Sequence, residues 1–199
     1  MKIPIIHGHI DRRILINFTA EPTAVEKIIP FPFRPLIYKG RAIVGICLIR
    51  LKNIRPKGLP EFMGINSENG AHRIAVEWDE NGKTKTGRNG NYHIDFISSD
   101  GTETLIDAVE TKTFSNKSIF ETLQEASNFF KSGELGYSPN KNKYEGLRLK
   151  TYNWEVRPLE VLNVKSSFFE NEKVFPKGSL TFDNALLMTN IEHEWKKEV

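Results

Sequence analysis

Ile10, Ile14, Ile16 and Phe18 share one parity, the period of a strand with one buried face, while Asp11, Arg13 and Asn17 fall on the other. This predicts a first strand over residues 10–18. A short helix is predicted at 22–29, because Pro22 suits a first helical turn and Val25, Ile28 and Ile29 then share an inner side. Pro30, Pro32 and Pro35 end it. Residues 41–51 are apolar on both parities, as expected of a strand with one face in a barrel interior and the other covered by helices. Gly45 within that run marks a bend or a close approach of another backbone.

A third strand is predicted around 71–77, with His72, Ile74, Val76 and Trp78 on one side and Arg73, Ala75 and Glu77 on the other. Asn81-Gly82 follows it and signals a tight hairpin. A second turn at 87–91 should lead to a strand at 92–97, and alternation resumes over 105–109. Ser118-Ile119-Phe120-Glu121 has the form of a capping box and predicts the main helix over about 119–131, closed by Ser132-Gly133. Residues 136–140 read as a loop. Strands are then expected at 147–156, 159–165 and 180–182, with a last apolar segment at 185–191. Antiparallel strands joined by hairpins, with one or two helices, predict an α+β, mostly β domain.

With 199 residues and no abrupt change of composition, the chain reads as a single domain, 1–199. Its 13 Phe and 39% hydrophobic content suffice for a core without disulfides or a structural metal. The single cysteine, Cys47, sits in the apolar run and reads as a small buried hydrophobe in a reducing, intracellular protein. No segment approaches the roughly 20 apolar residues of a membrane span, and the first residues lack an apolar stretch of signal-peptide length. A soluble, cytoplasmic protein with no membrane partner is therefore expected. The net charge of +3 comes from scattered lysines without a basic stripe, which argues against nucleic acid as a partner.

The chain lacks G-x-S-x-G, a P-loop and G-x-G-x-x-G. His7 and His9, even with His72 and His93, lack the spacings of strong zinc signatures, so no metal and no cofactor is expected. Ser166 and Ser167 read as hydroxyls that satisfy a turn. What remains is the polar stretch SENGAHRIAVEW (67–78) together with Arg13. One reading makes it a set of surface or cross-strand ion pairs. The other places it in a barrel mouth, where Arg13 or Arg73 grips a ligand carboxylate by a two-pronged contact and Glu68 and His72 form a polar rim.

The strings GRAIVGICLIRLKNIRPKGLP (40–60), SENGAHRIAVEW (67–78), SGELGYSPN (132–140), SSFF (166–169) and DNALLM (183–188) run in order along nearly the whole chain. Together they resemble the uncharacterised bacterial family called domain of unknown function 2071. That family is similar in fold to acetoacetate decarboxylase, so the resemblance implies an incompletely closed antiparallel β-barrel with a few helices and an internal pocket. For the wider superfamily it implies a pocket lysine that forms a Schiff base with a keto acid, activated by desolvation and a neighbouring cation. The decarboxylase carries a lysine pair just beyond its central hairpin, whereas this chain has Lys83-Thr84-Lys85-Thr86-Gly87-Arg88-Asn89-Gly90. Many members of the uncharacterised family have a tyrosine and paired arginines there, replaced here by Arg88 and asparagines. Arg13, or Arg12 one residue away, falls near the decarboxylase's pocket arginine. The leading expectation is a protein that binds a small anionic or carbonyl-bearing molecule without lysine-dependent decarboxylation. The alternatives are a Schiff-base enzyme using Lys83, Lys85 or Lys112, and a homo-oligomeric structural or interaction protein without a ligand.

Overall fold

The structure is a computed structural model and describes residues 4–80, 83–94, 103–140 and 143–198, with side chains described at all of these except 80, 83–94, 138–140, 143–144 and 198. In chain order the elements are β1 (Ile6–Ala20), α1 (Pro22–Glu26), β2 (Arg34–Pro35), β3 (Ile37–Tyr38), β4 (Arg41–Pro56), β5 (Ile65–Glu80) and β6 (Lys83–Ile94), followed by β7 (Thr104–Glu110), α2 (Leu123–Ser132), β8 (Leu135–Asn140), β9 (Lys143–Thr151), β10 (Arg157–Ser166) and β11 (Leu180–Glu198). Among the described residues no helix is long and apolar enough to cross a membrane.

All the strands belong to one sheet. β1 lies between β4 and β11, antiparallel to both. From β4 the pairing runs to β5 and β6. β6 meets β8 through a short parallel pairing of Arg88 with Gly136 and Asn89 with Tyr137. β8 pairs with β9, and β9 with the C-terminal half of β11. Since β11 also pairs with β1, the sheet curls on itself into an incompletely closed barrel, and the short β6–β8 seam is its weakest joint. β10 and β7 extend the sheet beyond the other half of β11.

The strands at the centre are long because both of their faces are buried. Ile16, Phe18, Val44 and Ile46 pack outward against Leu159, Phe169, Phe175 and Leu187. Leu15, Ile43 and Cys47 pack inward against Phe120, Phe130, Leu186 and Met188, so α2 and the segment leading into it fill part of the barrel interior. The outer cover is therefore a strand pair and the Phe169–Phe175 segment, with α1 the one helix on that side. Gly45 is required for close approach: a Cβ there would lie 2.5 Å from the Ile16 carbonyl oxygen of the neighbouring strand.

Several predicted elements change at their edges. In β1 the register with β4 slips between Ile10 and Arg12, and this bulge turns Ile10 to the inner face with Leu15 rather than leaving it with Ile14 and Ile16. The first helix ends at Glu26, three residues early. The turn expected at 87–91 is a register shift inside one continuous β6, opposite His72 and Ile74. Glu80 pairs with Lys83, so the predicted hairpin forms, with the Asn81-Gly82 turn itself outside the described residues. Residues 136–140, expected as a loop, belong to β8, and the separate segments expected at 180–182 and 185–191 form the single strand β11. The strand expected at 147–156 ends at Thr151.

The main helix starts later than its predicted capping box. Ser118 Oγ donates to Asp183 Oδ2 at 2.7 Å, and the Ile119 N–H donates to Asp183 Oδ1 at 2.6 Å. Those contacts hold residues 118–121 in a non-helical lead-in. The cap is Thr122, whose Oγ1 accepts from the Glu125 N–H at 3.1 Å, while the Glu125 carboxylate accepts from the Glu121 N–H at 2.6 Å. Asp183 reaches Ser118 because it is the extra residue of a β11 bulge, between the pairs Asn17–Asn184 and Phe18–Phe182.

Candidate functional site

The curl of the sheet leaves a cavity of about 390 Å³ beside the end of α2, with Gly133 and Glu134 in its lining. Small-molecule sites commonly span about 300–1,000 Å³. Its apolar wall includes Ile49 and Leu51 from β4, Leu149 from β9 and Trp195 from β11. Its polar groups include Arg13 from β1, Cys47 from β4, Ser67, Asn69 and Arg73 from β5 and Tyr137 from β8. Glu134 and Leu147, both exposed, mark the side that opens to solvent. A second space of about 30 Å³ lies on the other side of Cys47 and Arg73, under Phe129 and Phe130. That is room for about one water molecule.

Strand alternation places these groups. Cys47 pairs with Leu15 on one side and Ala71 on the other, so its side chain shares the inner face with theirs. Arg73, two residues beyond Ala71, points the same way and pairs with Gly45. Arg13 is two residues before Leu15 and keeps that orientation.

Arg13 is 2% exposed. Its Nε donates to Cys47 Sγ at 3.4 Å, and among the described residues its terminal nitrogens have no hydrogen-bond or carboxylate partner. Arg73 Nε is buried and also has no hydrogen-bond partner among the described residues. The Cys47 sulfur favours the charged form of Arg73, but burial and the like charge of Arg13 outweigh it and hold its pKa below the ordinary arginine value. Among the described lining residues the one carboxylate is the exposed Glu134. Burying a guanidinium costs several kcal/mol unless charge and hydrogen bonds compensate. The cavity is therefore a positively charged, largely apolar chamber whose arginine N–H groups face a volume able to hold a small anion.

The candidate residues chosen from sequence separate into two groups. Arg13 and Arg73 line the one cavity. Glu68 is exposed, pairs with Arg50 and lies 3.6 Å from Arg12, so both it and Arg12 sit on the solvent side. His72 points to the outer face of β5, where its Nε2 lies 2.9 Å from Ser166 Oγ and its ring stacks on Phe168 at 4.4 Å. The SSFF motif thus packs on His72, and Ser167 Oγ accepts the Glu103 N–H as a turn hydroxyl would. Glu77 is spent on the surface in a 2.8 Å ion pair with Arg34.

Lys112 is exposed. The side chains of Lys83, Lys85, Arg88 and His93 lie outside the described residues. No lysine occurs among the described residues that line the cavity, and no cluster of metal-ligating side chains occurs among the described residues.

Sequence reasoning missed Cys47, Tyr137 and Trp195 as cavity residues. Cys47 is buried as expected but presents its sulfur to Arg13 as well as to the core. The sequence hid this meeting: by period the first strand buries Ile10, Ile14, Ile16 and Phe18, the parity opposite Arg13, while Cys47 lies in a run apolar on both parities. Tyr137 was obscured because its segment read as a loop.

No protein-family model matches the chain, and no curated protein matches its sequence. Solved structures match its fold. The acetoacetate decarboxylase of Legionella pneumophila superposes with a TM-score of 0.52 at 12% identity, over 100% of this chain and 88% of that one. An acetoacetate decarboxylase-like enzyme from Sphingomonas wittichii RW1 superposes with a TM-score of 0.51 at 8% identity, over 99% and 92%. The chain has an acetoacetate decarboxylase-like fold.

Proposed function

We propose that this protein binds a small carboxylate, with or without a neighbouring carbonyl group, inside the barrel and without an imine-forming lysine. The observation that carries the reading is the convergence of Arg13 and Arg73 on one cavity of about 390 Å³ in which the exposed Glu134 is the one carboxylate among the described lining residues. A carboxylate supplies the missing charge and accepts two parallel N–H bonds from a guanidinium, while the Ile49, Leu149 and Trp195 wall suits a short apolar body. Of the three lysines named as imine-forming candidates, Lys112 is exposed and lies outside the lining. Cytoplasmic location and membership of the domain of unknown function 2071 belong to the same proposal, supported by the lone cysteine and the string resemblance.

Thermal unfolding with pyruvate, acetoacetate and their neutral amides tests it. A ligand at 100 times its Kd adds about 2.7 kcal/mol, so a rise of several degrees is expected with the acids at millimolar concentration and not with the amides. Arg73→Gln should abolish the rise. Equal shifts with acids and amides, or none with either, would overturn the reading. Borohydride trapping with the same acids should leave every lysine unmodified by intact mass.

A further inference from the structure

Three cavity groups stand closer to one another than ligand binding alone requires. Arg13 Nε contacts Cys47 Sγ at 3.4 Å, and Arg73 lies near enough for its charge to be shaped by both the sulfur and Arg13. Cys47 lines both the large cavity and the small neighbouring space. A guanidinium that donates to sulfur stabilises the thiolate, the nucleophilic form, in the manner of a basic residue beside a reactive cysteine. Independently of the cysteine, Arg13 is nine-tenths buried or more and its terminal nitrogens meet no protein acceptor among the described residues.

We propose that Cys47 is the reacting group of this cavity, and that its sulfur attacks an electrophilic carbon carried by a short carboxylate whose carboxyl group Arg73 and the terminal nitrogens of Arg13 hold. The proposal rests on the carboxylate-site reading and adds chemistry to it. The substrate class is a carboxylic acid of a few carbons with its electrophilic centre α or β to the carboxyl. For an α,β-unsaturated acid, the S–C bond forms at the β-carbon as the π pair moves to the α-carbon. The α-carbon takes up a proton from cavity water, and the proton lost by the thiol returns to that water. The sum is addition of S–H across the double bond, with no oxidant or reductant. Arg13 donates to the sulfur and is a positioning residue for it. Arg13, Cys47 and Arg73 line the same cavity, so a carboxylate held by the arginines lies beside the cysteine.

Iodoacetate and iodoacetamide are matched probes, one anionic and one neutral, that alkylate sulfur with loss of iodide. Cys47 is the chain's single cysteine, so intact mass assigns every cysteine adduct to it. The ratio of the iodoacetate rate to the iodoacetamide rate is expected to be at least about tenfold higher in the folded protein than in the denatured chain, because the arginines recruit the anion. Pyruvate should suppress the iodoacetate reaction. Arg73→Gln should return the ratio to that of the denatured chain, and Arg73→Lys should restore part of it. An unchanged ratio, or no reaction of folded Cys47 with either reagent, would overturn the proposal. Cys47→Ser separates the two readings: carboxylate-induced thermal shifts that survive in this variant beside an unreactive wild-type Cys47 leave the binding site standing and remove the nucleophile. Absence of both removes both.

Discussion

Arg13 on β1 and Cys47 on β4 are diagonal neighbours on the inner face of the barrel, with the Arg13 Nε donating to the Cys47 sulfur at 3.4 Å. Cys47 lies directly opposite Leu15, one inner-face position along from Arg13. A diagonal of this kind spans the reach of a long side chain across two antiparallel strands. It lets a strand buried on both faces carry a charge into the core without a local ion pair, and it delivers that charge to the wall of a cavity.

Holding that charge destabilises the folded protein. Arg13→Met keeps much of the side-chain length and removes the buried cation, and replacing buried ionic groups by well-packed apolar ones often adds about 1–4 kcal/mol. The variant should unfold at a higher denaturant midpoint with an unchanged m-value while losing its thermal response to carboxylates. Such an exchange of stability for function is common at binding sites. A destabilised Arg13→Met would show instead that the guanidinium is a structural element.

His193 gives the protein an acid-sensitive core. It is fully buried, with its ring 4.5 Å from that of Trp195. Burial, reinforced by the positive fields of His7, His9 and Arg13 and opposed by the Ile191 backbone, pushes its pKa down from 6.5 to about 4. Between those values the unfolded chain binds a proton that the native imidazole refuses, so stability falls as pH drops through that window. Above it His193 contributes no slope, and below it the loss is complete at about 3 kcal/mol. Urea unfolding from pH 7.5 to pH 4 should show this decline, and His193→Phe should flatten it.

The start of α2 offers a test of which serine or threonine caps it. Thr122→Ala should cost about 1 kcal/mol, the usual value of a helix cap. Asp183→Ala should cost more, about 2–3 kcal/mol, because it leaves the Ser118 hydroxyl and the Ile119 N–H without their acceptor next to a buried bulge. In Ser118→Ala, Asp183 keeps its bonds to Ile119 and Asn184, so the loss should stay near 1 kcal/mol. If Ser118 were the true cap, Thr122→Ala would be nearly silent in the same unfolding titrations.

The alternation of residues 10–18, the two-sided apolar run of β4 and the Asn-Gly hairpin were enough to define a β-rich fold, because they report local periodicity and turn geometry. Arg13 and Arg73 were legible as candidates, since each is a cation within a strand-periodic segment, on the parity opposite its row of large apolar residues. The fate of Glu68 and His72 was not. Within one strand, parity says which residues share a face but not which face the barrel encloses; that depends on what covers the outside, here Phe168 and Ser166 against His72. The bulges at Asp11 and Asp183 likewise reset parity through long-range register, which no window of sequence contains. Sequence alone therefore determined most of the strands, the hairpin and the charged residues available. The tertiary structure alone decided that two arginines and the single cysteine share one chamber, because that meeting requires β1, β4 and β5 to lie side by side and curl in the same direction.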